Sequence, residues 1–358
     1  MSIYKSENFK GFYTEIYKQV LLKNKLNKRS VEKIASTYAI TDRNTVKEIT
    51  ESAIVTVTRQ ISLNKETTTI QKFEKIVEYY NVQVNLSQRT SKSVKDQQYS
   101  TPATIAFLLG RYCQIYKKGN YYEPSAGNGM LTIASDGSDF IVNEIDPVRN
   151  DNLVHQNIYK EVTKNDSSLE SYKLKYFDAV LTNPPFDAIK EPENYLTIDD
   201  FTIKYLDHKM AILALNAMKD NGRCSIIIGG HTEWDDEGRV QGGKNRIMLS
   251  YLYKHYNVDD IINIDSQKLY SKMGTGFPVR LILINGRKKK PAGFAPRKMN
   301  SEFETVSTPG QLFLRISKYF ETDTLNEVQK VALIDTKNKL ELRKRKLNLL
   351  KHKLLLID

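Results

Sequence analysis

Four consecutive residues, Asn183-Pro184-Pro185-Phe186, carry groups that can hold a flat ring by its amino substituent. The Asn183 side-chain oxygen and the Pro184 carbonyl can both accept hydrogen bonds from one –NH₂. The two prolines stiffen the backbone that aims those acceptors. Phe186 can stack on the ring. An amino group held in this way has its lone pair drawn out of ring conjugation, which makes it a nucleophile. The four residues follow an apolar run, Phe177-Asp178-Ala179-Val180-Leu181-Thr182, that reads as a buried strand. Taken alone, they also read as a proline-rich turn after that strand.

A second group of residues lies upstream. Tyr121 to Leu131 contains Glu123-Pro124-Ser125-Ala126-Gly127-Asn128-Gly129. Gly127 and Gly129 allow a tight turn between a strand and a helix, with close approach of the backbone to a ligand. Glu123 precedes this turn. Phosphate-binding glycine loops avoid a carboxylate there, whereas a cationic ligand, such as one with a sulfonium and an α-ammonium, suits it. The strand Ile141-Val142-Asn143 then leads to Glu144-Ile145-Asp146, about 20 residues on, where α/β nucleotide sites place an acid for the ribose hydroxyls. Glu144 is the better placed acid, because Asp146-Pro147 has the form of a helix start. Asp166 lies before the Phe177 strand, where it could reach an adenine amino group or be a solvated loop acid. Ser100-Thr101-Pro102 reads as another helix start, continued by Ile105–Leu109.

Together these segments resemble the γ class of S-adenosylmethionine-dependent amino methyltransferases, most of which are N6-adenine DNA methyltransferases. The shared order is Tyr99-x-Thr101-Pro102, then Glu123-Pro124-x-x-Gly127-x-Gly129, then Asn183-Pro184-Pro185-Phe186, within residues 97–290. The resemblance implies that Thr101 and Pro102 help seat the methionine end of S-adenosylmethionine. Glu123, Gly127 and Gly129 would wall its amino-acid moiety, Glu144 would take the ribose and Asp166 the adenine. Tyr99, Pro124 and Ile145 are counted with this cofactor set. Asn183 and Pro184 would bind the target amino group, with Pro185 rigidifying the turn and Phe186 stacking on the base. The family's first acid is commonly Asp where this chain has Glu123, and the Asp166 segment has no pattern of its own. The stretch from Gly229 through Gly276, with His231-Thr232-Glu233-Trp234, is also similar to methylase modules of bacterial mobile elements.

The family's stand-alone members carry a sizeable target-recognition domain after the catalytic one. Only about 60 residues follow Lys298 here, rich in Lys and Leu, and such a segment carries little base-reading capacity. Target choice would then fall to the N-terminal helices or to a separate specificity subunit. The helical ends make the plan similar to that of type I modification subunits. The same tetrapeptide occurs in enzymes that modify RNA bases, at adenine N6 or guanine N2, and a related one with Tyr in the Phe186 place serves protein glutamine. A DNA-binding subunit without activity is the non-enzyme alternative.

The elements that must position these residues follow from periodicity. Strands are expected near 121–122, 140–144, 177–182, 223–228, 260–264 and 278–285, with helices near 102–115, 128–134, 147–160 and 202–219. That alternation predicts an α/β, doubly wound, Rossmann-like domain over 96–290, with both motifs at the carboxyl ends of strands. Residues 1–95 read as a helical N-terminal domain, in which Phe12, Ile16 and Val20 share one helix face. Within it, 31–49 has helix-turn-helix spacing that would put Arg43 and Lys47 on the second helix, although packed helices without base contact are the favoured reading. Residues 291–358 read as a basic linker and a C-terminal helix with Leu333, Leu340, Leu347 and Leu354 in heptad register, packed on the helical domain or a partner. Gly274-Thr275-Gly276-Phe277 and Trp234 could border the target pocket or simply pack.

The net charge of +12 suits a polyanion such as double-stranded DNA, although Lys-rich residue usage alone would give the same sign. Two cysteines make a zinc site unexpected. No apolar run approaches the roughly 18–20 residues of a membrane span, and the N-terminus has no apolar signal region, so a cytoplasmic protein without membrane contact is expected.

Overall fold

The computed structural model describes residues 2–86, 100–273, 276–298 and 305–320. Tyr99, Gly274, Thr275 and the heptad leucines from Leu333 to Leu354 lie outside the described residues.

Eight strands form one sheet. They are β1 (Tyr121–Glu123), β2 (Phe140–Asn143), β3 (Glu161–Thr163), β4 (Phe177–Thr182), β7 (Met218–Gly229), β8 (Tyr256–Ile264), β9 (Val279–Arg287) and β10 (Thr305–Val306). Their order is β3-β2-β1-β4-β7-β9-β8-β10. Neighbours pair in parallel except at β9, which runs antiparallel to both β7 and β8. The fold is therefore α/β and doubly wound. Chain order reverses between β1 and β4, which opens a crevice beyond their carboxyl ends. A hairpin, β5 (Leu196–Ile198) and β6 (Phe201–Ile203), stands apart from the main sheet.

The strands are apolar on both sides because both faces are covered. Leu181, Ile227, Leu281 and Leu283 face one hydrophobic cluster, while Val180, Ile226, Ile282 and Ile284 face the other. This alternation follows from the period of two along a strand. The second face is covered by α7 (Leu206–Ala217) and α8 (Lys244–His255). The first is covered by α5 (Ala103–Tyr112) and by the N-terminal helices α1 (Glu7–Leu21), α2 (Lys28–Thr37), α3 (Arg43–Leu63) and α4 (Thr69–Val82). Phe12, Ile16 and Val20 are buried on α1, as their spacing predicts. Residues 2–86 thus share one continuous core with the sheet.

Helices α2 and α3 follow one another across a short turn. However, Lys47 is only 8% exposed and its ammonium pairs with Glu48 at 3.1 Å, so it is not presented to DNA. Arg43, at the exposed end of α3, lies 3.4 Å from Glu32. Helix α3 is buried along most of its length and acts as the central beam of the helical layer.

Two expectations need correction. The helix expected over 128–134 is a single 3₁₀ turn, Met130–Thr132. The Thr132 hydroxyl bonds back to the Gly129 carbonyl at 2.8 Å, and Arg59 of α3 takes the carbonyls of Thr132 and Ser135, at 2.7 and 2.8 Å. Those acceptors are then not offered to a continuing helix. The helix start at Ser100-Thr101-Pro102 precedes α5, but neither hydroxyl caps it; both are used elsewhere, as described below. The sequence pattern also gave no sign of β3, the β5–β6 hairpin, α8, or β10 with the helix Pro309–Ser317 that follows it. β3 is short and half polar, and exists through its pairing with β2.

Candidate active site

A cavity of about 260 Å³ opens beyond the carboxyl ends of β1, β2 and β4. Its walls include Thr101, Glu123, Pro124, Gly127, Glu144, Ile145, Asp166 and the run Asn183-Pro184-Pro185-Phe186. Segments that are separated by up to about 80 residues in sequence therefore face one space, as expected at a topological switch point. Pro102 and Gly129 stand behind the wall rather than in it. Trp234 and Phe277 do not line the cavity either.

The glycine turn explains the positions of both glycines. Gly127 and Gly129 have φ of +56° and +89°, in the left-handed region. A Cβ on Gly129 would meet the Tyr159 hydroxyl at 2.2 Å, so this glycine is required for packing. A Cβ on Gly127 would meet nothing within 4 Å and would occupy cavity space instead. The absence of a side chain there lets a ligand approach the backbone.

Two carboxylates follow from β1 and β2. Glu144 accepts the Gly127 amide on Oε2 and the Asp146 amide on Oε1, both at 2.8 Å. Burial raises its pKa, an effect that nearby Arg149 partly offsets. Glu123 is 1% exposed, and its Oε2 has no hydrogen-bond partner among the described residues. Burial, then repulsion from Glu144, pushes its carboxyl well above the usual range, against a weaker pull from Arg59. A buried acceptor left unbonded at a cavity wall is costly unless a ligand satisfies it.

Asp146 caps α6 (Pro147–Gln156) by accepting the amides of Val148 and Arg149. Asp166 lies at the exposed rim, where its Oδ1 accepts the Ser168 amide and hydroxyl at 2.9 and 2.7 Å. Its loop is fixed to the glycine turn by buried Asn143. That side-chain amide donates to the carbonyls of Pro124 and Asn165, at 3.0 and 2.9 Å, and to the Ser167 hydroxyl at 2.8 Å.

At the β4 end, the Asn183 amide nitrogen donates to the Thr101 hydroxyl oxygen at 3.0 Å. That bond ties the Asn183 side chain to the segment that precedes α5, whose Thr101 hydroxyl makes no cap. Phe186 lies against Gly229 at the end of β7, where a Cβ would come within 3.3 Å of its ring. The Gly229 amide is held by the Asp207 carboxylate at 3.1 Å.

Sequence reasoning missed the contribution of α3. Glu51, Asn128 and Arg149 also line the cavity. Behind them Glu48 accepts Arg149 through Nε at 2.8 Å and Nη2 at 3.2 Å, as well as Asn128 Nδ2 at 2.8 Å. Burial pushes the Glu48 carboxyl up, but Arg149, Lys47 and these bonds outweigh it and hold it below the usual range. The only sequence signal was an unusual density of charge, Lys47-Glu48 and Glu51, on a helix otherwise fit for burial. Among the described residues no group of three or more His, Cys, Asp or Glu could hold a metal ion, and no helix is long and apolar enough to cross a membrane.

No protein-family model and no curated protein matches this sequence. Solved structures do. One is a protein assigned as a modification subunit of a type I restriction enzyme from Vibrio vulnificus YJ016, with 14% identity and a TM-score of 0.46, the match covering 82% of this chain and 65% of that one. Another, from Listeria monocytogenes, is assigned to the class I S-adenosylmethionine-dependent methyltransferases; identity is 14%, TM-score 0.45, and coverage 88% of this chain and 99% of that one. The M protein of the type I restriction enzyme EcoKI matches at 13% identity and a TM-score of 0.42, over 86% of this chain and 76% of its own. This chain therefore spans just under two thirds of the first of these and nearly all of the second. Likeness at this level does not speak to the reaction, which has to be argued from the residues around the cavity.

Proposed function

We propose that this chain transfers a methyl group from S-adenosylmethionine to the N6 amino group of adenine in DNA. The observation that carries this reading is that Asn183-Pro184-Pro185-Phe186 and the Glu123–Gly129 turn face one cavity. The cavity also fits the donor chemically. Glu123 offers a buried, unbonded carboxylate oxygen to a cation, and the missing side chain at Gly127 leaves room for close approach. Glu144, Ile145 and Asp166 would hold the ribose and adenine, with Thr101 and Pro124 near the methionine end. Bound there, S-adenosylmethionine would supply an electrophilic methyl carbon to the amine and would be left as a neutral thioether.

The chain's own residues act by positioning and electrostatics. The Asn183 amide, oriented by Thr101, presents its oxygen to the target amine together with the Pro184 carbonyl. Those two bonds draw the amine lone pair out of the ring and toward the methyl carbon. No strong base is required before attack, because the amine proton leaves to solvent afterwards. In double-stranded DNA the adenine must first leave the stack, at a cost of a few kcal/mol that stacking on Phe186 partly offsets. A specificity subunit docked on the helical ends would choose the sequence, and the setting would be the cytoplasm of a cell with a restriction-modification or mobile-element methylase.

The test is transfer of tritiated methyl from the donor to DNA, RNA and protein in parallel. N6-methyladenine in DNA is expected. Label confined to RNA would move the substrate to an RNA base, and donor binding without transfer to any of the three would favour a subunit without activity.

A further inference from the structure

The cavity has a wall that does not belong to the α/β layer. Glu51 projects from α3 of the helical layer and lines the cavity with Ser100 and Thr101. It is 1% exposed, and its Oε2 accepts the Ser100 hydroxyl at 2.7 Å. The neighbouring acid, Glu48, is matched by Arg149 and Lys47 at 2.8 and 3.1 Å. Among the described residues Glu51 has no comparable bonded cation. Burial, then repulsion from Glu48, raises its pKa against weaker pulls from Lys47 and Arg149. On the same cavity, Glu123 Oε2 is buried without any partner among the described residues. Two buried carboxylates lacking a bonded cation thus face one space, and a positively charged group is the occupant that both would favour.

We propose that Glu51 is a ligand of the methyl donor's α-ammonium, so that the N-terminal helical layer completes the donor site. The inference rests on the donor site proposed above. The choice of the ammonium over the ribose follows from position. Glu144 follows β2 and Asp166 follows β3, whereas Glu51 accepts the hydroxyl of Ser100, whose neighbour Thr101 bonds Asn183 after β4, where the methyl must be delivered. A continuous path, Glu51 to Ser100, Thr101 to Asn183, then links the helical layer to the proposed target grip.

Calorimetric titration of the full chain and of Glu51→Gln tests this. The probes are S-adenosylmethionine, S-adenosylhomocysteine and 5′-methylthioadenosine, the last lacking the amino-acid end. Gln can still accept the Ser100 hydroxyl, and a thermal melt of each protein reports whether the fold is kept. The variant should bind the first two ligands roughly 10- to 100-fold more weakly, with methylthioadenosine unchanged. Equal loss for all three, or no loss for any, would overturn the assignment. A loss confined to S-adenosylmethionine would place the sulfonium, not the ammonium, at Glu51 and would also overturn it. Failure of the unaltered chain to bind any of the three ligands would instead bring down the donor site itself.

Discussion

At the β1–β2 end of the cavity, Glu123 and Glu144 are buried and the backbone is held by carboxylates, glycines and side-chain amides. At the β4 end, Asn183, Pro185 and Phe186 are half-buried, and the β5–β6 hairpin begins about ten residues further on. On the proposed reading, the more buried first end would take the small cationic donor and the half-buried second end the polymer substrate. Rigidity would then be concentrated where the ligand is small and constant, and access where it is large.

This contrast can be broken at several points, starting with the supports of the closed end. Glu48→Ala would leave Arg149 buried and uncompensated, and should destabilise the fold by about 3–5 kcal/mol in denaturant titration. Because the folded-state pKa of Glu48 is depressed, its stabilisation is present at neutral pH and is lost as pH falls through that low value. A loss below about 1 kcal/mol would show that the hub is not a support.

Asn183→Ala addresses the open end. It should cut methyl transfer by about 10²–10³-fold in a tritium assay while donor affinity changes little, since the residue is argued to grip the target. Parallel loss of donor binding would erase the distinction between the two ends.

Gly129→Ala and Gly127→Ala separate packing from access within the closed end. The first places a Cβ 2.2 Å from the Tyr159 hydroxyl at a φ of +89° and should cost about 2–3 kcal/mol of stability. The second should cost about 1 kcal/mol through backbone strain and show its larger effect on donor affinity, read by calorimetry.

Phe186→Ala should weaken use of the target by about 1–3 kcal/mol, seen in kcat/KM, if a base stacks there. The smallest effect concerns pH. The carboxyls of Glu123 and Glu144 have raised folded pKa values, so the unliganded protein should lose stability as pH rises from the ordinary carboxylate range through those values. Affinity for the cationic donor should rise over the same window, and Glu123→Gln should flatten that rise.

The apolar run of β4 and the positions of the two glycines were legible because strand burial and left-handed turns depend on local residue type. Asn183, Glu123 and Glu144 were legible because few residue types suit the ends of such strands. Ser100 and Thr101 were misread as caps, since the same hydroxyls serve a helix or a distant carboxylate and amide with equal chemistry. Glu51, Glu48 and Arg59 gave no signal beyond the density of charge on α3. Their roles depend on α3 packing against residues some 50–100 positions away, and no periodicity in one helix encodes its partner.

The sequence by itself therefore determined the alternation of strands and helices, the two strand-end motifs and the kind of groups they present. Tertiary structure alone decided that these motifs share one cavity, that Lys47 is buried and not offered to DNA, and that the helical layer supplies a wall of the site. The physical reason is that hydrogen bonding and apolar periodicity act along the chain, whereas burial of a charge is settled only by what the fold brings beside it.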